Sequence, residues 1–246
     1  MFNLDAFQWL LVSLCAFCIG LNKTGIPGVA ILAIPLMAEV IPARASTGVV
    51  LPMLVFADIF AVTYYRRRVV WSYLIRLLPW TVVGVVLGFL ALGRINDEQL
   101  KPLIGIVVLI MLGINHWWIS LERGKTQIPT RWWFAAGLGL VAGATTMMAN
   151  AAGPIVVIYL SAMRLPKVEF ISTGAWFYLL LNWFKIPFSV DLGLMTIQSL
   201  QFDLVLFPMI AAGALTGIKV FKHIPEKTFS NVVQMLAAAA AISLLL

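Results

Sequence analysis

The sequence predicts an all-α polytopic membrane protein built from two homologous halves, and three observations lead to this class. Hydrophobic residues make up 62% of the 246 residues and charged residues only 11%, whereas about a quarter of an ordinary soluble domain is charged. Apolar runs of roughly the 18 to 20 residues that cross a bilayer recur along the whole chain. The motifs of the first half also return, in the same order, in the second half.

Three pairs of motifs indicate the duplication. The segment Ala45-Ser-Thr-Gly48 is matched by Ile171-Ser-Thr-Gly174, at an offset of 126 (48 to 174). Two further pairs share an offset of 129: Leu78-Pro79 with Gly84 and Gly88 is matched by Phe207-Pro208 with Gly213 and Gly217, and Ile95-Asn-Asp-Glu98 by Ile224-Pro-Glu-Lys227. We therefore predict an N-terminal transmembrane repeat over residues 1–122 and a C-terminal one over 123–246.

Each repeat is predicted to begin with a broken apolar stretch, over residues 6–40 and 132–163, that forms a broken helix pair or a re-entrant hairpin. Three helices follow in each repeat: 45–65, 71–93 and 99–120, then 168–186, 199–219 and 227–246. If the broken stretch enters and returns, each repeat crosses the membrane an odd number of times and the two repeats are inverted. If it crosses once, the repeats are parallel.

The distribution of basic residues chooses between these topologies, because cytoplasmic loops carry the excess of Lys and Arg. The parallel arrangement puts eight basic residues on each side. Inversion places twelve of the 17 in the cytoplasm: Arg66, Arg67, Arg68, Arg76, Arg123, Lys125, Arg131, Arg164, Lys167, Lys219, Lys222 and Lys227. It leaves Arg44, Arg94, Lys101 and Lys185 outside. We predict inverted repeats in a cytoplasmic (inner) membrane, with both termini on the non-cytoplasmic side.

The two broken stretches share a pattern that predicts helix starts inside the membrane. The first reads LNKTGIPG, ending at Gly28, and the second MMANAAGP aligns with it so that Gly28 matches Gly153. In each, a residue of the capping type, Thr24 or Asn150, precedes a proline that suits the first turn of a helix. Interrupted helices in matching positions of two inverted repeats are typical of the binding site of a secondary transporter.

A helix N-terminus has unpaired N–H groups and a partial positive charge, so it attracts anions. Lys23 adds a full charge beside the first break, which favours a small oxyanion as ligand. The residues expected to contribute neutral donors or close backbone approach are Asn22, Thr24, Gly25, Gly28, Thr145, Thr146, Asn150 and Gly153. In the alternative interpretation, Lys23 ends a 17-residue span and extends its ammonium group to the membrane interface.

Other polar residues inside the apolar runs have two interpretations each. The hydroxyls of Ser46, Thr47, Ser172 and Thr173 either cap and pack helices or line the substrate pathway. Asp58 is a carboxylate inside a predicted span, and such a group is a functional hypothesis by default. It is a candidate for coupling to a proton or sodium ion, for pairing with Lys23, or for a structural pair with Arg66.

Several classes of function are not supported. Cys15 and Cys18 lie one turn apart without histidine or acidic neighbours, so packing is favoured over a metal site. The chain has no Walker loop, no zinc-binding His-Glu motif and no dinucleotide fingerprint, so neither a cofactor nor enzymatic activity is predicted. The net charge of +7 comes from short loops between apolar runs, so it indicates membrane topology and not a nucleic-acid partner.

The chain resembles the TauE/SafE family of membrane permeases, which includes sulfite exporters and toluenesulfonate uptake permeases. The resemblance rests on the segments GVAILAIPL, ASTGVVLP, YYRRR and LLPWTVVGVVLGFLAL and on the duplicated organisation. It implies transport of small sulfur-containing anions. The sequence departs from the family's glycine-rich G-x-G-G-G pattern, where it has KTGIPG and NAAGP.

Together these observations predict a secondary transporter that moves sulfite, a sulfonate or an organosulfur acid across the membrane by alternating access. The anion would bind near the midplane at two half-helix N-termini. Three alternatives predict different behaviour: an anion channel would show flux without saturation, a membrane enzyme would need a polar cluster at an interface, and an accessory subunit would show no flux of its own.

Overall fold

The computed structural model describes residues 4–25, 29–65, 68–123, 132–220, 242 and 245, and this part of the chain is helical, without strands. Its helices, with bounds as observed, are α1 (Ala6–Thr24), α2 (Ala30–Val40), α3 (Ala43–Tyr65), α4 (Trp71–Leu92), α5 (Asp97–Arg123), α6 (Trp132–Ala149), α7 (Gly153–Ala162), α8 (Lys167–Asp191) and α9 (Ile197–Val220). Five of them, α1, α3, α4, α6 and α9, are long and apolar enough to cross a membrane. The all-helical, polytopic class predicted from the sequence is therefore confirmed.

Each predicted broken stretch forms one long helix followed by one short helix. The short helices α2 and α7 have 11 and 10 residues, which corresponds to about 15 Å, or half of the hydrocarbon thickness. Because α2 packs against α1 and α7 against α6, the chain turns back at each break. The helix predicted over 168–186 extends to Asp191, and the one predicted over 227–246 lies outside the described helices.

The duplicated glycines occupy equivalent packing positions. Gly84 and Gly88 of α4 contact α6, where an added Cβ at Gly88 would lie 2.9 Å from the Ala144 carbonyl oxygen. Gly213 and Gly217 of α9 contact α1 in the same way. These small residues let the backbones approach closely, so the α4–α6 and α1–α9 pairs each join the fourth helix of one half to the first helix of the other.

Helices α3 and α8 cross the centre of the molecule in antiparallel directions. The start of α3 at Gly48 contacts Leu194, just after α8. The end of α3 lies at the start of α8, where Ser172 donates a hydrogen bond to the carbonyl of Tyr65. Most residues of both helices are apolar. The buried polar side chains Asp58 of α3 and Asn182 and Lys185 of α8 form part of the candidate site.

Candidate functional site

Lys23 lies in the last turn of α1 and points into the protein. Its side chain is only 6% exposed, and Nζ lies 2.8 Å from Oδ1 of Asp58 on α3. The ammonium also lies 3.9 Å from the centroid of the Tyr178 ring on α8, where the negative face of the ring attracts a cation. The interpretation in which Lys23 extends to the membrane interface is therefore wrong.

Asp58 is fully buried and has two partners. Lys23 contacts one oxygen, and Asn182 Nδ2 donates to Oδ2 at 2.7 Å. Of the alternatives for Asp58, the structure brings it together with Lys23, whereas Arg66 is outside the described residues. A buried carboxylate persists where a charge and a hydrogen-bond donor compensate the loss of water, and Asp58 has both.

The second break has a buried lysine of its own, which comes from α8. Asn150 follows α6 with a φ of 52°, a left-handed conformation that asparagine tolerates better than most residues. Its Nδ2 donates to the Thr47 carbonyl at 3.1 Å, and its Oδ1 accepts from Lys185 Nζ at 2.6 Å. Lys185 also donates to Thr146 Oγ1 at 3.2 Å.

One face of α8 connects the two breaks. Tyr178, Asn182 and Lys185 are spaced i, i+4 and i+7, which places them on one side of a helix. Tyr178 reaches both breaks, because its ring contacts Lys23 and its hydroxyl donates to the Gly153 carbonyl at 3.3 Å. We call Lys23, Asp58, Thr146, Asn150, Tyr178, Asn182 and Lys185 the central polar network.

The sequence interpretation missed the contribution of α8. Lys185 was counted among the basic residues outside the membrane because its helix was expected to end at residue 186; instead it lies within α8 and is 1% exposed. Without Lys185, the predicted topology still has three basic residues outside, Arg44, Arg94 and Lys101, against twelve inside, so the predicted charge bias is kept. The available signal was Asn182 and Lys185 one turn apart in an apolar run.

The charges of the central polar network do not cancel. Among the described residues it contains two lysines and one carboxylate, and that carboxylate pairs with Lys23. No described carboxylate lies within ion-pair distance of Lys185, whose hydrogen bonds go to the neutral oxygens of Asn150 and Thr146. An unpaired buried ammonium is unfavourable, so a bound anion would stabilise the charged form of Lys185.

The glycines of the two breaks have opposite surroundings. A Cβ added at Gly25 would lie 2.5 Å from Cα of Gly217, whereas a Cβ added at Gly153 would meet no atom of the described residues within 4 Å. Gly28 is outside the described residues. The close backbone approach expected at Gly25 is thus made by another helix of the protein, and open space for a ligand is present at Gly153.

Neither predicted capping residue caps the half-helix that follows it. The Thr24 hydroxyl donates to the Ala214 carbonyl at 2.7 Å, because it faces α9 where Gly217 admits it. The Asn150 side chain is held by Lys185 and Thr47, and α7 begins without a side-chain cap, with Pro154 in its first turn as expected. Asn22 provides the link at the first break, since its Oδ1 accepts from the Ala30 N–H at 3.2 Å.

The duplicated Ser-Thr pairs lie at the two ends of the α3–α8 crossing. The hydroxyls of Ser46 and Thr47 both donate to the Ala43 carbonyl, within the first turns of α3. In the second pair, Ser172 donates to Tyr65 and Thr173 accepts from the Val70 N–H at 3.0 Å. Their described contacts are those of capping and packing residues, and a role in lining the pathway stays a prediction.

A second buried carboxylate was not singled out from the sequence. Asp203 on α9 is 0% exposed, and neither carboxylate oxygen has a hydrogen-bond partner among the described residues. It lies between Phe202 and Leu204, so an acidic residue within an apolar run was the available signal. Cys15 and Cys18 are buried free thiols, and the described residues contain no group of three potential metal ligands.

The chain matches a family model over nearly its whole length. The model is described as sulfite exporter TauE/SafE, and the match covers residues 12–244. Comparison with curated proteins and with solved structures gives no match. The matched range includes α1 from Val12 onward, all of α2 to α9, both breaks and the central polar network. The chain therefore belongs to the TauE/SafE sulfite exporter family of membrane proteins.

Proposed function

We propose that this protein is a secondary transporter that moves small sulfur-containing anions, such as sulfite, a sulfonate or an organosulfur acid, across the cytoplasmic membrane. One observation carries the proposal: the central polar network has one more buried lysine than carboxylate among the described residues. An anion bound there neutralises the excess charge. The network also lies where the two helix breaks meet, which is the expected place for a transporter site.

The second break is the proposed anion site. Lys185 supplies the charge, and Thr146 and Asn150, which now satisfy its donors, lie within hydrogen-bond distance of it. The N-terminus of α7 adds unpaired N–H groups and a partial positive charge, and it begins at Gly153 beside open space. A small oxyanion with several acceptor oxygens suits such a set of donors.

The first break has a different proposed role. Asp58 already neutralises Lys23, so this pair contributes little net charge to the anion. We assign it to holding the break in place and, when an arriving proton or sodium ion competes with Lys23 for the carboxylate, to coupling. Asn182 connects this pair to α8, the helix that carries Lys185.

Alternating access is proposed to arise from two inverted repeats, residues 1–122 and 123–246. The antiparallel course of α3 and α8 and the equivalent α1–α9 and α4–α6 pairs support this arrangement. The repeats contact each other at both ends of the crossing, at Gly48 with Leu194 and at Tyr65 with Ser172. Opening one end while the other stays closed would expose the network to one side of the membrane at a time.

The test is flux of sulfite, sulfate, sulfoacetate, taurine and a carboxylate control into proteoliposomes. Lys185→Met should reduce saturable sulfur-anion flux roughly tenfold to hundredfold, the value of one hydrogen bond to a charged group. The matched control is Lys101→Met, since Lys101 is 42% exposed and pairs with Glu39 at the surface; this variant should keep wild-type flux.

Three outcomes would contradict the proposal. Equal flux in the Lys185→Met and Lys101→Met variants would remove the site from the second break. Flux that does not saturate with substrate and shows no counter-flow would indicate a channel. Absence of flux for every compound from folded wild-type protein would indicate an accessory subunit or another class of ligand.

A further inference from the structure

A second site candidate lies outside the central polar network. A cavity of about 520 Å³ opens between α4, α6 and α7, and none of its lining residues belongs to the network. Its lining includes Ile75, Arg76 and Trp80 from α4, Trp132 from α6 and Tyr159 from α7. The cavity thus combines one cationic side chain with aromatic and aliphatic walls.

Arg76 is an exposed, positively charged residue on the surface of α4. It lies five residues after Trp71, the first residue of α4, which is about 7.5 Å along the helix axis. No carboxylate in the described part of the chain lies within ion-pair distance of its guanidinium. An arginine without a carboxylate partner is available to bind an anion, and the planar arrangement of its donors suits a phosphate group.

The aromatic residues place the cavity at the membrane interface. The rings of Trp80 and Trp132 lie 6.4 Å apart, and these side chains are 36% and 72% exposed. Tryptophan is enriched at the level of lipid headgroups, and exposed Ile75 (66%) adds an apolar rim. A small soluble anion has no apolar surface to bury against this rim. The upper part of a lipid acyl chain does, so its contact with the rim is favourable.

The backbone of α4 supplies an acceptor at the same place. Pro79 lies inside α4 and lines the cavity, and because proline has no N–H, the carbonyl of Ile75 lacks its helical donor. A hydroxyl group of a headgroup would satisfy that carbonyl. The Tyr159 hydroxyl, in contrast, already donates to the Tyr73 carbonyl at 3.1 Å. Tyr159 therefore contributes its ring to the lining of the cavity.

We propose that this cavity is a binding site for an anionic phospholipid. Arg76 binds the lipid phosphate, Trp80 and Trp132 flank the glycerol region, and the apolar rim contacts the acyl chains. The occupant is a lipid of the surrounding bilayer and not the transported anion, so this site is independent of the proposed transport function.

The experiment measures bound lipid on the purified full-length protein by native mass spectrometry, with phosphatidylglycerol and phosphatidylcholine in competition. One basic residue near the membrane surface contributes a preference of about five-fold for anionic lipid. Arg76→Gln should therefore lower the ratio of bound phosphatidylglycerol to phosphatidylcholine about five-fold. Arg94→Gln is the matched control, because Arg94 is an exposed arginine just beyond the other end of α4 and does not line the cavity; this variant should lower the ratio less than Arg76→Gln.

Arg76→Lys, which keeps the charge, should retain most of the preference, and it tests the proposal if the glutamine variant does not fold. The thermal unfolding midpoint with added sn-glycerol 3-phosphate separates a lipid from a soluble anion, and no stabilisation is expected from this compound. The proposal is overturned if wild-type protein shows no preference for phosphatidylglycerol, if Arg76→Gln keeps the wild-type ratio, or if glycerol 3-phosphate stabilises wild type but not Arg76→Gln.

Discussion

The two helix breaks occupy matching places in the chain, yet their surroundings differ. At the first break, Lys23 is neutralised by Asp58, and Gly25 packs directly against Gly217. At the second break, Lys185 has only neutral partners among the described residues, and Gly153 faces open space. Among the described residues, the first break is closely packed and its lysine is paired with a carboxylate. The second break has open space, and its lysine has no carboxylate partner.

Two breaks with the same order of long and short helix therefore differ in the groups that surround them. Both breaks stop a long helix and begin a short one, and both lie against α8. We propose that the side chains that surround them determine which break binds a ligand and which one holds the helices together.

The largest effect is expected for Asp58→Asn. This change leaves Lys23 buried without its counter-ion, and breaking a buried ion pair costs about 3 to 5 kcal/mol of unfolding free energy. Thermal unfolding in detergent should show a large decrease of the midpoint. The control is Glu39→Gln, which breaks the exposed pair with Lys101 at 3.1 Å, where about 1 kcal/mol or less is expected.

The double variant Asp58→Asn with Lys23→Met sharpens this test. Removing both charges leaves no unpaired ammonium, so part of the lost stability should return. If Asp58→Asn were no more destabilising than Glu39→Gln, the first break would not depend on charge compensation, and the contrast between the two breaks would disappear.

The second break should respond to an anion and not to the loss of its lysine. Lys185→Met removes an uncompensated buried charge, so the variant should unfold at or above the wild-type midpoint. A bound anion at 100 times its Kd stabilises a protein by about 2.7 kcal/mol, and this gain from added sulfite should be absent in Lys185→Met. A variant that keeps the full stabilisation would place the anion elsewhere.

Gly25 and Gly153 give a smaller contrast, which concerns only the space available for a Cβ atom at each break. Gly25→Ala forces a methyl group against the backbone of Gly217, and overpacking of this kind costs about 1 to 3 kcal/mol. The methyl group of Gly153→Ala meets no atom of the described chain within 4 Å, so the stability of this variant should match wild type while its anion-induced stabilisation falls. Equal unfolding midpoints for the two variants would contradict the assignment of the second break as the open one.

The helical class and the two helix breaks could be predicted from the sequence because apolar runs and their Gly/Pro interruptions are local patterns. The helix predicted over 45–65 and the first-turn position of Pro154 both follow from short patterns. The position of Lys185 does not, because whether a lysine near a predicted helix end faces a loop or the protein interior depends on how far α8 continues and on what α6 places opposite it. Thr24 illustrates the same limit, since its hydroxyl partner is 190 residues away.

The smallest predicted effect compares hydroxyls at the two breaks. Thr24 donates across the helix interface to the Ala214 carbonyl at 2.7 Å, whereas Thr145 donates to the Val141 carbonyl at 2.7 Å within its own helix, where the backbone already supplies a donor. Thr24→Val should therefore cost about 0.5 to 1.5 kcal/mol, and Thr145→Val should cost less. Differential scanning fluorimetry of the two near-isosteric variants checks this order. If Thr145→Val were the more destabilising, the second break would depend on its own hydroxyl bonds for rigidity, and the assignment of the structural role to the first break would fail.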